Sequence, residues 1–126
     1  MRSSYLVFGQ PRIEQPEIDE VLASLRSAWL GTGPKAAEFE RRVAAYKGVP
    51  HAVGLNSCTA GLHLACVVLG LEPGDEVITT PMTFCATVNA IVHSGAVPVL
   101  ADVDPMTMNI DPEQVRRRIT NRTRAI

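Results

Sequence analysis

The 126-residue sequence lacks a strong net charge of either sign: 12 basic and 13 acidic side chains leave −1. A surface built wholly for nucleic acid carries a strong positive excess, so that class is disfavoured. Five arginines near the end (Arg116, Arg117, Arg118, Arg122, Arg124) are a local exception. They read as a solvated helix face and its exit, because charge runs usually face water. Long apolar runs are missing too. None approaches the ~20 residues that span a bilayer, and Met1 to Phe8 holds one arginine and no apolar signal-peptide core. The expected setting is the cytoplasm, away from membranes. Cysteines are few and odd in number, Cys58, Cys66 and Cys85, all in apolar surroundings. That suits reduced thiols better than a disulfide framework. No Cys-x-x-Cys occurs, and His63 with Cys66 lacks two further ligands, so no metal site is expected. Internal repeats and low-complexity tracts are absent as well.

What is present suits a packed core. Hydrophobic residues make up 46% and charged residues 20%, which fits one domain or part of one. Ile18, Val21, Leu22, Leu25, Ala28 and Trp29 fall at helical spacing and predict an amphipathic helix from about Pro16. It stops before Gly31-Thr32-Gly33-Pro34. Pro34 suits the first turn of a second helix, with Phe39, Val43 and Tyr46 on one face and an end near Gly48. His51 to Leu55 reads as a strand. Thr59 to Leu69 is apolar nearly all round, which predicts a buried helix. Glu76 to Thr80 is a second strand, stopped by Pro81. Thr83 to His93 reads as a helix with Thr83 as its N-cap. Val97 to Ala101 is a third strand. Asp111-Pro112 opens a helix running to about Arg118. Strand–helix alternation of this kind predicts an α/β sheet, mostly parallel, with helices on its faces. Thr123 to Ile126 looks like the run-in to a fourth strand, so the chain is expected to be part of something larger.

In open α/β sheets, ligands sit at the carboxyl ends of strands, so the strand-to-helix junctions carry the candidates. At the first, Asn56-Ser57-Cys58-Thr59-Ala60-Gly61, small and hydroxyl residues open a helix. The first N–H groups of a helix lack internal partners and the dipole favours an anion, which suits a phosphate. Asn56 or Ser57 acting only as a cap is the alternative, and neither Gly-x-Gly-x-x-Gly nor a Walker pattern is present. At the second junction Phe84 follows a strand end. An aromatic there can stack on a planar ligand, although position alone favours a core phenylalanine. At the third, Asp102 and Asp104 are two apart, a spacing open to metal or acid–base work. Asp104-Pro105 favours a turn instead.

Taken in order, Trp29-Leu30-Gly31-Thr32-Gly33-Pro34-Lys35, Glu38-Phe39-Glu40, Asn56-Ser57-Cys58-Thr59-Ala60-Gly61-Leu62, Pro73-Gly74-Asp75-Glu76-Val77-Ile78, Pro81-Met82-Thr83-Phe84 with Thr87 and Asn89, and Gly95-Ala96-Val97-Pro98 before Asp102-Val103-Asp104 resemble one family. This is the N-terminal part of the DegT/DnrJ/StrS family, sugar-nucleotide aminotransferases that use pyridoxal 5′-phosphate (PLP). The resemblance covers nearly the whole chain from Phe8. It implies an α/β fold, the N-terminal part of the aspartate-aminotransferase-type (fold type I) PLP large domain with an incomplete, mostly parallel sheet. Residues 1–33 would supply the N-terminal helix and active-site loop, and 34–126 the first part of the PLP-binding large domain. Later strands would run between the first strand and the next two.

The resemblance also implies a homodimer, a nucleotide-sugar substrate, and an amino donor such as glutamate. Thr59 and Ala60 would hold the cofactor phosphate, with Ser57 and Cys58 shaping the loop. Phe84 would stack on the pyridine ring, and Gly31, Thr32 and Gly33 would lie near the substrate. Asp102 and Asp104 do not match the family's pyridine-nitrogen aspartate, so their turn reading stands. PLP chemistry needs a Schiff-base lysine. The two lysines present, Lys35 and Lys47, match no such position, so no catalytic residue is assigned. A chain ending at Ile126 is expected to be inactive and to fold poorly alone. A PLP-dependent sugar dehydratase of the same fold and a stand-alone phosphate- or nucleotide-binding module are the alternatives.

Overall fold

A computed structural model describes Tyr5 and residues 7–126. These residues form two compact units, Met1–Gly54 and Leu55–Ile126.

In the first unit, α1 (Gln15–Arg26) opens on a capping box, in which the Glu14 N–H donates to the Glu17 carboxylate at 2.7 Å. That bond starts the helix one residue ahead of Pro16. The helix also ends earlier than its apolar spacing suggests. Ser27 caps it and Ala28 takes φ +58°, so Ala28 and Trp29 lie beyond the helix rather than on its face. The second helix, α2 (Pro34–Lys47), begins at its proline and ends at Gly48, whose φ of +67° allows the Val49 N–H to reach back to the Ala44 carbonyl. Of its expected apolar face, Phe39 and Tyr46 are exposed. Glu38 accepts from both Arg41 and Arg42, and these bonds pull its carboxyl down to about 2.

Residues 51–55 form no strand. A strand exists only with a ladder partner, and no strand among the described residues pairs with this segment. One of its donors is satisfied differently: the Gly54 N–H gives 2.8 Å to the Glu40 carboxylate.

The second unit is a parallel sheet with helices. Its elements are α3 (Cys58–Val68), β1 (Glu76–Thr79), α4 (Cys85–His93), β2 (Val97–Leu100), α5 (Pro112–Arg118) and β3 (Thr123–Ala125). The strand order is β2-β1-β3, all parallel, so the chain's last strand lies on the far side of β1 from β2. Side chains alternate across a strand. Val77 therefore packs with Ile91 of α4 and Ala96, while Ile78 packs with Ala101 and Val115 of α5. Burial on both faces is what a central parallel strand requires.

Two helix expectations change. Phe84, not Thr83, is the N-cap of α4, and the Thr83 hydroxyl instead meets the Thr87 hydroxyl at 2.8 Å. Helix α3 packs on α4 but buries only Cys66. Leu64, Val67, Val68 and Leu69 stay exposed, because α4 covers one side of the helix only. Among the described residues no helix is long and apolar enough to cross a membrane.

The terminal arginines are all exposed, as a solvated face and its exit should be, yet one of them also reaches a buried carboxylate. Glu76, at the start of β1, is 5% exposed. Its carboxylate accepts from the Thr120 hydroxyl at 2.6 Å and from Arg122 Nε at 2.9 Å. The Thr120 bond first, then Arg122, holds this carboxyl below the usual glutamate range. A depressed folded pKa gives stability that is complete above the unfolded value, near 4.5, and is lost as pH falls through the folded one. Glu76→Gln is therefore expected to lower the urea midpoint at pH 7 and to lose that difference from wild type as pH drops below about 4.5. A deficit that stays constant down to pH 3 would show that the charge at Glu76 is not what matters.

Candidate functional site

The start of α3 has the features that an anion site needs. Ser57 is extended (φ −160°, ψ 156°) and its Oγ accepts from the Ala60 N–H at 3.1 Å. The Ser57 carbonyl accepts from Gly61 at 3.2 Å. The cap consumes the Ala60 donor, so Ser57 shapes the turn and has its oxygen occupied. The N–H groups of Cys58 and Thr59, the first two of the helix, have no acceptor among the described residues. No acidic side chain lies in the first turn. Two free donors, the positive end of an 11-residue helix and the Thr59 hydroxyl make a cradle that fits a phosphate. The two readings of this junction are thus compatible, since Ser57 caps while Cys58 and Thr59 remain open. Gly61, inside the first turns of α3, leaves room for the Leu55 side chain, whose Cδ1 would stand 3.2 Å from a Cβ there.

Phe84 stands at the start of α4, just past the carboxyl end of β1. It is 77% exposed, so it is not a core residue of this unit. The structure thus brings Ser57, Cys58, Thr59, Ala60 and Phe84 into one unit, at the starts of two helices that pack together. Cys58 and Cys85 are exposed free thiols at these helix starts, and Cys66 is buried.

Asp102 and Asp104 do turn work. Asp104 Oδ1 accepts from the Met106 and Thr107 N–H groups at 2.8 and 2.9 Å, and these bonds, that of Thr107 first, hold its carboxyl below the usual range. Asp102 Oδ1 accepts from Val103, and its carbonyl accepts from Asp111.

Gly31, Thr32 and Gly33 belong to the other unit, where a cavity of about 410 Å³ is lined by Trp29, Leu30, Gly31 and Gly33 among others. Trp29 Nε1 donates to the Thr32 carbonyl at 3.0 Å. Helical spacing had placed this indole on the α1 face and so concealed it. The signal against that placement was the Gly-Thr-Gly run just after it. Lys35 Nζ is held by the carboxylate and main-chain carbonyl of Glu20, while Lys47 lies 5.5 Å from the Tyr46 ring centroid.

The chain is similar to known proteins over most of its length. The profile of the DegT/DnrJ/EryC1/StrS aminotransferase family matches residues 11–126. The chain is 50% identical to the spore coat polysaccharide biosynthesis protein SpsC of Bacillus subtilis, over 99% of this chain and 32% of SpsC. It is 45% identical to a UDP-4-amino-4-deoxy-L-arabinose–oxoglutarate aminotransferase of Shewanella sediminis, over 100% of this chain and 32% of that protein. The PLP-form structure of Streptococcus pneumoniae Spr1654, described as a sugar aminotransferase, superposes with a TM-score of 0.89 at 44% identity, covering 94% of this chain and 30% of that one. The chain thus spans about a third of the length of these relatives. Its α/β arrangement is that of the first part of a fold type I large domain. On this match, the chain belongs to the DegT/DnrJ/EryC1/StrS aminotransferase family.

Proposed function

We propose that the chain is the N-terminal portion of a PLP-dependent aminotransferase that moves an amino group, from a donor such as glutamate, to a nucleotide-linked keto sugar. The observation that carries this is the open start of α3, with its two unpartnered N–H groups, in a chain of this family. When bound, PLP supplies the electron sink that lets an amino group leave one carbon and join another. The chain's own part is to bind and orient. The Cys58 and Thr59 N–H groups and the Thr59 hydroxyl hold the phosphate, Ser57 and Ala60 keep the turn in shape, and Phe84 lies along the pyridine ring. Gly31, Thr32 and Gly33 lie near the nucleotide-sugar substrate, and the working protein is a homodimer in the cytosol. Lys35 is engaged with Glu20, which supports placing the lysine that bonds the cofactor aldehyde outside this chain.

The test uses the whole protein. It is expected to carry a cofactor absorbance band in the near ultraviolet or visible range and to convert a nucleotide-linked keto sugar, with glutamate, into a product bearing one new amino group by mass spectrometry. A protein with no such band and no amino transfer would overturn the reading. Loss of water without gain of nitrogen would assign it to the dehydratases instead.

A further inference from the structure

The loop after α1 carries an exposed aromatic over a built cavity. Trp29 is 60% exposed, although its indole is held in place. Nε1 donates to the Thr32 carbonyl at 3.0 Å, and the main-chain N–H donates to Ser27 Oγ at 3.2 Å. The pyrrole edge fills the space where Gly33 lacks a side chain, since a Cβ there would fall 1.9 Å from Nε1. Ala28, at φ +58°, turns the chain sharply off the helix just before it. A non-glycine residue at positive φ is uncommon and persists where its surroundings hold it. The result is an indole held by one hydrogen bond on a backbone held by another, with its ring still open, beside a cavity of about 410 Å³. That volume lies within the usual range for small-molecule sites.

The polar lining sets the ligand chemistry. Lys35, the one charged side chain lining this cavity, is paired with Glu20, so the cavity carries no surplus charge. The Ser24 and Ser27 hydroxyls donate to the Glu20 and Ser24 carbonyls. Ser24 Oγ retains lone pairs that can accept an N–H. A neutral planar heterocycle with ring or exocyclic N–H groups matches an open indole face, an acceptor hydroxyl and no surplus charge.

We propose that Trp29 stacks on the base of the nucleotide-linked substrate and sets the affinity for the nucleotide part. This rests on the sugar-nucleotide reading above. The experiment is calorimetric titration of the whole protein with UDP, dTDP, GDP and CDP, in wild type, Trp29→Phe and Trp29→Leu. Both variants lose the Nε1 bond to Thr32, but only phenylalanine can still stack. For whichever nucleotide binds, Trp29→Phe is expected to stay within about threefold of wild type, and Trp29→Leu to weaken binding about tenfold or more. The cofactor absorbance band and the KM for glutamate should not move in either. Equal weakening in both variants would make Trp29 a loop latch and overturn the proposal. Unchanged binding in Trp29→Leu would also overturn it while leaving the nucleotide reading intact. A wild-type protein that binds none of the four would overturn the nucleotide reading, and the proposal with it.

Discussion

Ile78→Ala is expected to remove about 2–5 kcal/mol of unfolding free energy, the range for truncating a well-packed core isoleucine. Ile78 is 1% exposed and sits mid-strand in β1, between β2 and β3. Its neighbours are Ala101 and Val115, with Val99 and Ile110 closing the edge. Two of these belong to β2 and α5, which cannot close onto the hole without moving the ladder or the helix. The lost transfer energy is therefore joined by a cavity term. Urea denaturation followed by circular dichroism reads the change in midpoint at constant slope. A loss below about 1 kcal/mol would mean that the inner face of β1 is not the core of this unit.

Local signals were legible in the sequence, and non-local ones were not. Pro34 and Gly48 bound α2 because each acts on its own φ. Asp111 with Pro112 opens α5 for the same reason, its side chain accepting from Glu113 at 2.8 Å. The Asp104 turn was readable because an aspartate bonds the backbone two and three residues on. Residues 51–55 have a strand's composition but no ladder, since pairing depends on a neighbour that local composition cannot reveal. Helix α3 is apolar nearly all round, yet burial depends on what covers it, and α4 covers one side. The Glu76–Thr120–Arg122 cluster joins positions more than 40 apart, and the exposure of the arginines, which was legible, does not reveal which carboxylate one of them reaches. At the candidate site, the capping role of Ser57 was visible. The exposure of Phe84 was not legible from position, which favours a core phenylalanine, and only the family resemblance pointed the other way.

The cap and the anion site make opposite predictions for one substitution. Thr59→Asp places a carboxylate in the first turn of α3, where no acid now stands. A negative charge at a helix N-terminus stabilises it by about 0.3–1 kcal/mol, so if this turn only caps a helix, the variant is as stable as wild type or more so and nothing else changes. If the turn holds a phosphate, the new charge competes for the Cys58 and Thr59 N–H groups and repels the ligand. Two unit charges about 4 Å apart near a protein surface repel by roughly 4 kcal/mol, and even half of that is about thirtyfold in affinity. The expected result for the whole protein is an undiminished melting temperature without cofactor and a PLP affinity weakened about thirtyfold or more. Thr59→Ser, which keeps the hydroxyl, should hold PLP nearly as well as wild type. Equilibrium dialysis gives the affinity and a thermal melt of the cofactor-free protein gives the stability. Equal PLP affinity in Thr59→Asp and wild type would reduce this helix start to a cap, whereas a fall in affinity with no fall in stability is an outcome that capping alone cannot produce.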